Sequence, residues 1–389
     1  MKVPDEWQKK TIDDLFVFTN GTGFKASDWS KEGLPIIRIQ NMNGSNEYNY
    51  YNGQVEEKWL VSPGQLLFAW AGTKGVSFGP HIWNGPKGVL NQHIYKLEPK
   101  INGDRRWLYY ALIKVTHTIE KKAHGFKSTL LHVQKSDITN QVVVVPPLPE
   151  QKAIANLLST WDEAIEKTER LIQAKEDLFK GNTQKLIDLR CTEWTHIKPK
   201  NMFDIITEKN HPDEELLSVT QDQGVIPRNM LKGRVMSPDG TTASYKLIRP
   251  GDFAISLRSF QGGIEYSKYQ GIISPAYTIL RPKMEIDTDF YQIFFKTYIF
   301  IEKYLNLAVI GIRDGKQISI PDFVSIKIPY PPLEEQKQIA ETLSAAQHEI
   351  DLLKQLAEKY KTQKRGLMQK MLTGEWRVKD EIISKYRET

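Results

Sequence analysis

The sequence holds one cysteine, Cys191, in 389 residues. A single thiol excludes an internal disulfide and any cysteine-based zinc cluster, and a reducing cytoplasm is the expected setting. Long apolar runs are also missing. None approaches the roughly 18 residues that a membrane helix needs, so no membrane association is expected. The opening segment MKVPDEWQKK has no apolar core, so no signal peptide is expected either. Excess charge is modest, at +6 overall. Residues 1–149 carry 18 Lys/Arg against 13 Asp/Glu, whereas residues 150–190 carry 7 against 8. The basic excess therefore sits in the first part of the chain and suggests a polyanionic partner.

Catalytic patterns are equally scarce. No GxGxxG occurs, and NGTGF at Asn20 and AGTKG at Ala71 are not phosphate-binding P-loops. IPYPP at Ile328 lacks the Asn or Asp that an adenine-methylase Pro-Pro-Tyr motif carries. PDFVSIK at Pro321 has serine where a metal-dependent nuclease places its second acid. The eight histidines are scattered, and His117 and His124 stand seven apart without a carboxylate partner. Neither a catalytic nor a metal site is expected.

What the chain does have is an internal repeat. PPLPEQKAIANLLS starts at Pro146 and PPLEEQKQIAETLS at Pro331, 185 residues later. Laid without a gap, Pro146–Ile187 matches Pro331–Leu372 at 15 of 42 positions, including Glu150/Glu335, Gln151/Gln336 and Gly181/Gly366. The likeness extends outwards. SPGQLLFAW at Ser62 parallels RPGDFAISL at Arg249, and GVLNQHIYKLEPK at Gly88 parallels GIISPAYTILRPK at Gly271. Glu-Trp follows at Glu6, Glu193 and Glu375, the last like the start of a third copy that stops. Such a chain can close in a quasi-circular order.

Each repeated segment carries a 4-3 spacing of apolar residues. Ile154, Leu158, Trp161, Ile165, Thr168, Ile172, Lys175, Phe179, Asn182 and Leu186 form one seam, and Ile339 to Met371 repeats it. This is a coiled-coil pattern, and the partner expected for each helix is the other copy, antiparallel if the chain is quasi-circular. About 40 residues per helix give roughly 60 Å. Gly181 and Gly366 interrupt both helices at a cost of about 1 kcal/mol each, which suggests a close backbone approach or a bend. Between the helices lie β-branched and aromatic runs bounded by Gly, Pro and Asn, such as LPIIRIQN, GQLLFAWAG, GDFAISLRS and AYTILRP. Each half also has one helical stretch, from Asp104 and from Asp287. The expected fold is α+β: two β-rich domains (1–147 and 191–331), a spacer helix (148–190), and a second spacer helix with tail (332–389).

The doubled Pro-Pro-Leu-x-Glu-Gln, the closing Leu-Thr-Gly-Glu-Trp and the two divergent β-rich domains resemble the specificity subunit of type I restriction-modification systems. The resemblance covers nearly the whole chain. It implies two target-recognition domains, each reading half of a bipartite site on double-stranded DNA, with the paired helices fixing the gap. It implies two modification subunits and restriction subunits as partners, and a host-defence role in DNA methylation and restriction. It also implies that S-adenosylmethionine belongs to the methylating partner and that this chain holds no cofactor and is not itself an enzyme. The rival readings are a stand-alone restriction or methyltransferase enzyme with an unrecognised catalytic site, and a purely structural coiled-coil adaptor.

Base edges and phosphates are read by Arg, Lys, Asn, Gln, Ser and Thr, best placed on loops after strands. The DNA-binding candidates are Arg38, Asn41, Asn43, Thr73, Lys74, Lys127 and Ser128 in the first domain. In the second they are Arg258, Ser259, Gln261, Arg313 and Lys316. Leu157, Leu171, Leu178 and Leu352 lie outside the seam and are candidates for partner contact, or for packing on the domains.

Overall fold

The computed structural model describes residues 3–122, 130–231, 242–256, 262–311 and 317–387. The chain divides into two compact units. Unit 1 comprises residues 1–168 and 356–389, and unit 2 residues 169–355. Both divisions cut a long helix, one spanning Leu148–Thr183 and the other Leu333–Met371. No described helix is long and apolar enough to cross a membrane.

Unit 1 is built on a four-stranded antiparallel sheet in the order Phe16–Asn20, Ile94–Pro99, Leu66–Ala69, Gly79–Ile82. Leu66–Ala69 is buried at all four positions, because side chains on both faces of the sheet are covered. The helix Arg105–Lys122 packs Trp107, Leu108 and Leu112 into the same core as Phe16 and Phe68. A second four-stranded sheet contains the parallel pair Leu34–Ile37 and Gly88–Leu90. That pairing needs Gly88, since a Cβ there would stand 2.4 Å from the Pro35 carbonyl oxygen.

Unit 2 repeats the plan. Its main sheet runs Phe203–Ile206, Tyr277–Pro282, Phe253–Ser256, Ile264–Tyr266. Gly271 meets the Glu215 carbonyl oxygen at 2.3 Å by the same construction, so the close backbone approach is repeated as well. The helical stretch is not repeated whole. Instead of one helix from Asp287, Thr288–Phe294 stops, and a π turn (Phe300–Tyr304) and a 3-10 turn (Leu305–Ala308) follow. The Thr297 hydroxyl donates to the Phe294 carbonyl (2.7 Å) and accepts from the Phe300 amide (3.2 Å), turning the chain. This lets Phe290, Phe294, Phe295 and Phe300 all reach one aromatic core, each fully buried.

The expected helix pairing is present and antiparallel. In unit 1 Trp161 meets Tyr360 edge-on (5.7 Å between centroids) and Asp162 pairs with Lys364. In unit 2 Lys175 pairs with Glu349 (2.8 Å) and Glu176 with Lys354 (2.7 Å). Within unit 1, Ile154 and Leu158 share a core with Met368 and Met371 while Trp161 and Asp162 meet Tyr360 and Lys364; within unit 2, Leu186 and Ile187 share a core with Ile339 and Leu343 while Lys175 and Glu176 meet Glu349 and Lys354, so each unit has the antiparallel register. The charged seam positions Lys175 and Lys364 are each matched by an acid on the facing helix. The glycine expectation is corrected in part. A Cβ at Gly181 or Gly366 would meet nothing within 4 Å, so neither marks a close approach among the described residues. The first helix does change to π pitch at Gln184–Asp188, while the second remains α-helical to Met371.

The repeated motif residues close each unit. Glu150 is almost fully buried, and its carboxylate accepts from Trp7 Nε1 (3.0 Å) and from Arg377 Nε and Nη2 (2.5 and 2.8 Å). Glu335 accepts from Trp194 Nε1 (3.1 Å) and forms an ion pair with Arg190 Nη2 (2.5 Å). Gln151 Oε1 accepts from the Asp104 amide and its Nε2 donates to the Pro146 carbonyl (3.0 and 2.8 Å). Gln336 does the same with Asp287 and Pro331 (2.9 and 2.8 Å). The third Glu-Trp does not start another copy of this latch. Trp376 lies half-exposed under Lys370, and its neighbour Arg377 is what reaches Glu150.

Candidate nucleic-acid interface

The polar candidates of unit 1 divide by what already holds them. Strand Leu34–Ile37 ends in Ile36 and Ile37, both fully buried, and delivers Arg38 at the rim of the fold. The Arg38 guanidinium stacks on Trp29, 4.6 Å from the ring centroid. Its Nε is buried without a partner, and Arg38 makes no ion pair among the described residues. Its backbone amide donates to Asn41 Oδ1 (3.0 Å).

Asn41 is spent inside the domain. It is buried, and its Nδ2 donates to the carbonyls of Ser45 (3.1 Å) and Glu47 (2.8 Å). Its side chain therefore shapes the loop that follows Arg38. Asn43 is exposed at the end of the short helix Ile39–Met42. Thr73 is exposed at the end of strand Ala71–Thr73, and its amide donates to Ser77 Oγ (2.7 Å). Lys74 is half-buried, and its Nζ donates to the Glu120 carbonyl (3.1 Å) while the Gly75 amide donates to Glu120 Oε1 (2.8 Å). That loop is tied to the helix Arg105–Lys122. Lys127 and Ser128, and all five candidates of the second domain, Arg258, Ser259, Gln261, Arg313 and Lys316, lie outside the described residues.

On the long helices Leu171, Leu178 and Leu352 are exposed, at 45%, 56% and 50%. Leu157 is not with them, since it is half-buried against the unit 1 core. Leu356, at the repeat position equivalent to Leu171, is exposed at 36%. Among the described residues no group of three His, Cys, Asp or Glu side chains is placed to hold a metal ion.

Sequence reasoning passed over Trp29, the platform for Arg38. The one available signal is a tryptophan within a polar loop, ASDWSKEG, where a large ring has no periodic apolar neighbours to pack with.

A family profile described as the type I restriction modification DNA specificity domain matches this chain twice, over residues 4–176 and 192–361. The type I restriction enzyme EcoBI specificity subunit of Escherichia coli is 27% identical over 256 residues. That alignment spans 65% of this chain and 51% of the relative, about half its length. A putative type I restriction enzyme MjaX specificity subunit of Methanocaldococcus jannaschii is 25% identical over 415 residues, spanning 97% of this chain and 95% of that one. The crystal structure of a type I restriction-modification S subunit from M. genitalium superposes with a TM-score of 0.56 at 19% identity, covering 96% of this chain and 98% of that one. A chain from a study of type I restriction-modification complex assembly and conformational transition gives 0.60 at 14% identity, covering 97% and 100%. At these identities the structural likeness is one of fold.

Proposed function

We propose a function for a chain that belongs to the type I restriction-modification DNA specificity family: it is the sequence-reading, non-catalytic subunit of such a complex, and each unit reads one half of a two-part site on double-stranded DNA. The observation that carries this reading is the duplication. One recognition plan occurs twice, each copy latched by a Glu and a buried Gln at the start of one long helix. A single chain with two related but different readers suits an asymmetric two-part site, as paired domains suit a palindrome in dimeric DNA-binding proteins. The antiparallel helices then set the gap between half-sites and hold two modification subunits, which bind S-adenosylmethionine, together with restriction subunits. Exposed Leu171, Leu178 and Leu352 are suited to those protein partners. The half-buried Arg38 and the exposed Asn43 and Thr73 of unit 1 are suited to DNA.

Two experiments test the reading. Methylated sites are mapped genome-wide for cells carrying this chain with its modification partner. A two-part motif that depends on this chain is expected, and methylation or cleavage by the pure chain would overturn it. The ruler is tested by adding one heptad to both helices. That lengthens each by about 10 Å and should widen the gap by roughly three base pairs.

A further inference from the structure

We propose that Arg38, held over the ring of Trp29, reads one guanine in the half-site taken by unit 1. This inference rests on the DNA-reading function proposed above and assigns a specificity-determining pair within it.

Three features together mark Arg38. The first is its missing partner. Arg249, Arg281 and Arg377 each end on a carboxylate, and Arg105 and Arg106 donate to the Gly64 carbonyl and Ser159 Oγ, whereas Arg38 has no ion pair among the described residues and its Nε is buried without an acceptor. A buried donor left without an acceptor carries a desolvation penalty. The second feature is the platform. Trp29 is 42% exposed, so it contributes little to the core, yet its ring lies under the guanidinium, 4.6 Å from the centroid to Cζ. The third is the mount. Arg38 follows a fully buried strand end, and its amide is clamped by Asn41, itself locked by two carbonyls. The side chain therefore starts from a fixed backbone.

A planar, oriented guanidinium suits a flat pair of acceptors. Guanine O6 and N7 in the major groove are such a pair, and arginine on guanine is the commonest specific base contact. A phosphate contact needs only positive charge within reach, so it gives no use to the stacking platform.

The test uses the complete complex, with methylated-site mapping and thermal unfolding of each variant. Arg38→Ala should make one G·C position of one half-site degenerate, with about tenfold or greater loss of discrimination there and the other half-site unchanged. Arg38→Lys keeps the charge and loses the bidentate fork, and should relax the same position. Trp29→Ala should relax that position more weakly. Arg38→Lys is the conservative variant, so its folding keeps the test decisive if Arg38→Ala unfolds. A uniform loss of binding with an unchanged motif would make Arg38 a phosphate contact and overturn the proposal. An unchanged motif in the Arg38 variants would overturn it equally. If the unaltered complex yields no two-part motif, the function reading falls and takes this assignment with it. If that motif is present and survives Arg38→Lys, only the Arg38 assignment falls.

Discussion

Glu150 and Glu335 occupy the same place in the repeat, and each accepts from one tryptophan and pairs with one arginine. The supply lines differ. At Glu335 both donors come from one short segment, Arg190 and Trp194, just after the first long helix. At Glu150 the tryptophan is Trp7 and the arginine is Arg377, which follows the second long helix. What is one continuous segment in unit 2 is therefore two separate segments in unit 1. The segment after Leu372 is a structural part of unit 1, where Val378 and Ile383 are buried in the core and Gly374 packs on Pro4. The quasi-circular order expected from the three Glu-Trp pairs is realised as this non-covalent closure.

The largest effect should come from cutting that closure. Deleting residues 373–389 removes Arg377, Val378 and Ile383 from unit 1. Each buried aliphatic side chain contributes about 1.5–3 kcal/mol. Together with the orphaned Glu150, the expected loss is about 5 kcal/mol or more, confined to unit 1. Hydrogen exchange read by mass spectrometry should show unit 1 amides losing protection while unit 2 amides keep theirs. Equal loss in both would break the comparison.

Single substitutions at the two glutamates come next. Glu150→Ala strands Trp7 Nε1 and Arg377 around a site where the carboxylate side chain is 2% exposed, and should cost about 3 kcal/mol. The Glu335 side chain is 20% exposed, so water can replace it in part and Glu335→Ala should cost about 1–2 kcal/mol. Urea unfolding followed separately in each unit checks the order. A larger cost at Glu335 would mean that the continuous segment, not burial, dominates the latch.

Acid should also separate the units. His81 and His117, both in unit 1, have pKa values lowered, in each case mainly by burial. The unfolded chain then binds more protons than the folded one, so unit 1 loses stability as pH falls below about 6.5. In unit 2, burial raises Glu265, partly offset by Lys296, and raises Asp188. These two acids take up protons more readily when folded and so oppose a loss as pH falls; Glu176 and Asp222, lowered by hydrogen bonds, lose stability only below the ordinary carboxylate range. Pulse proteolysis in urea at pH 7.5 and 5.5 should show unit 1 opening earlier at the lower pH and unit 2 not. His81→Asn, neutral throughout, should flatten the unit 1 response.

These contrasts bear on what a sequence can reveal. The duplication and the heptad seam were legible because both are periodic: 15 matches in 42 positions, and apolar residues at seven and nine of ten seam sites. The matching acids at Asp162 and Glu349 follow from the antiparallel register once the seam is known. The roles of Glu150 and Gln151 were not legible. Their recurrence was visible, but the partners stand 143 and 227 residues away from Glu150, and nothing local names them. The helical stretch from Asp287 failed for a different reason. Its aromatic residues fit a helix locally, and the shared core overrides that preference by turning the chain at Thr297. In the candidate interface, residue type found Arg38 but could not tell it from Asn41. One is stacked at the rim and the other is buried as a loop clamp, and that difference depends on carbonyls of Ser45 and Glu47 brought round by the turn.

The smallest expected effect concerns the paired glycines. Gly181 and Gly366 are exposed in the interior of the two long helices, and a Cβ on either would meet nothing within 4 Å. Alanine costs about 1 kcal/mol less than glycine in such a place, because it narrows the unfolded ensemble. Gly366→Ala should therefore stabilise the chain by about that amount. Gly181→Ala should gain less, since the helix leaves α pitch three residues later at Gln184. Unfolding midpoints in urea measure both. The informative comparison is with assembly. Two glycines that cost stability at matching repeat positions, with open space where a Cβ would stand, leave room for the backbone of another protein. If both alanine variants are more stable alone yet bind the modification subunit more weakly, each glycine marks an equivalent docking position. If assembly is unchanged, the glycines are tolerated rather than used, and the two helices are alike there only by descent of the repeat.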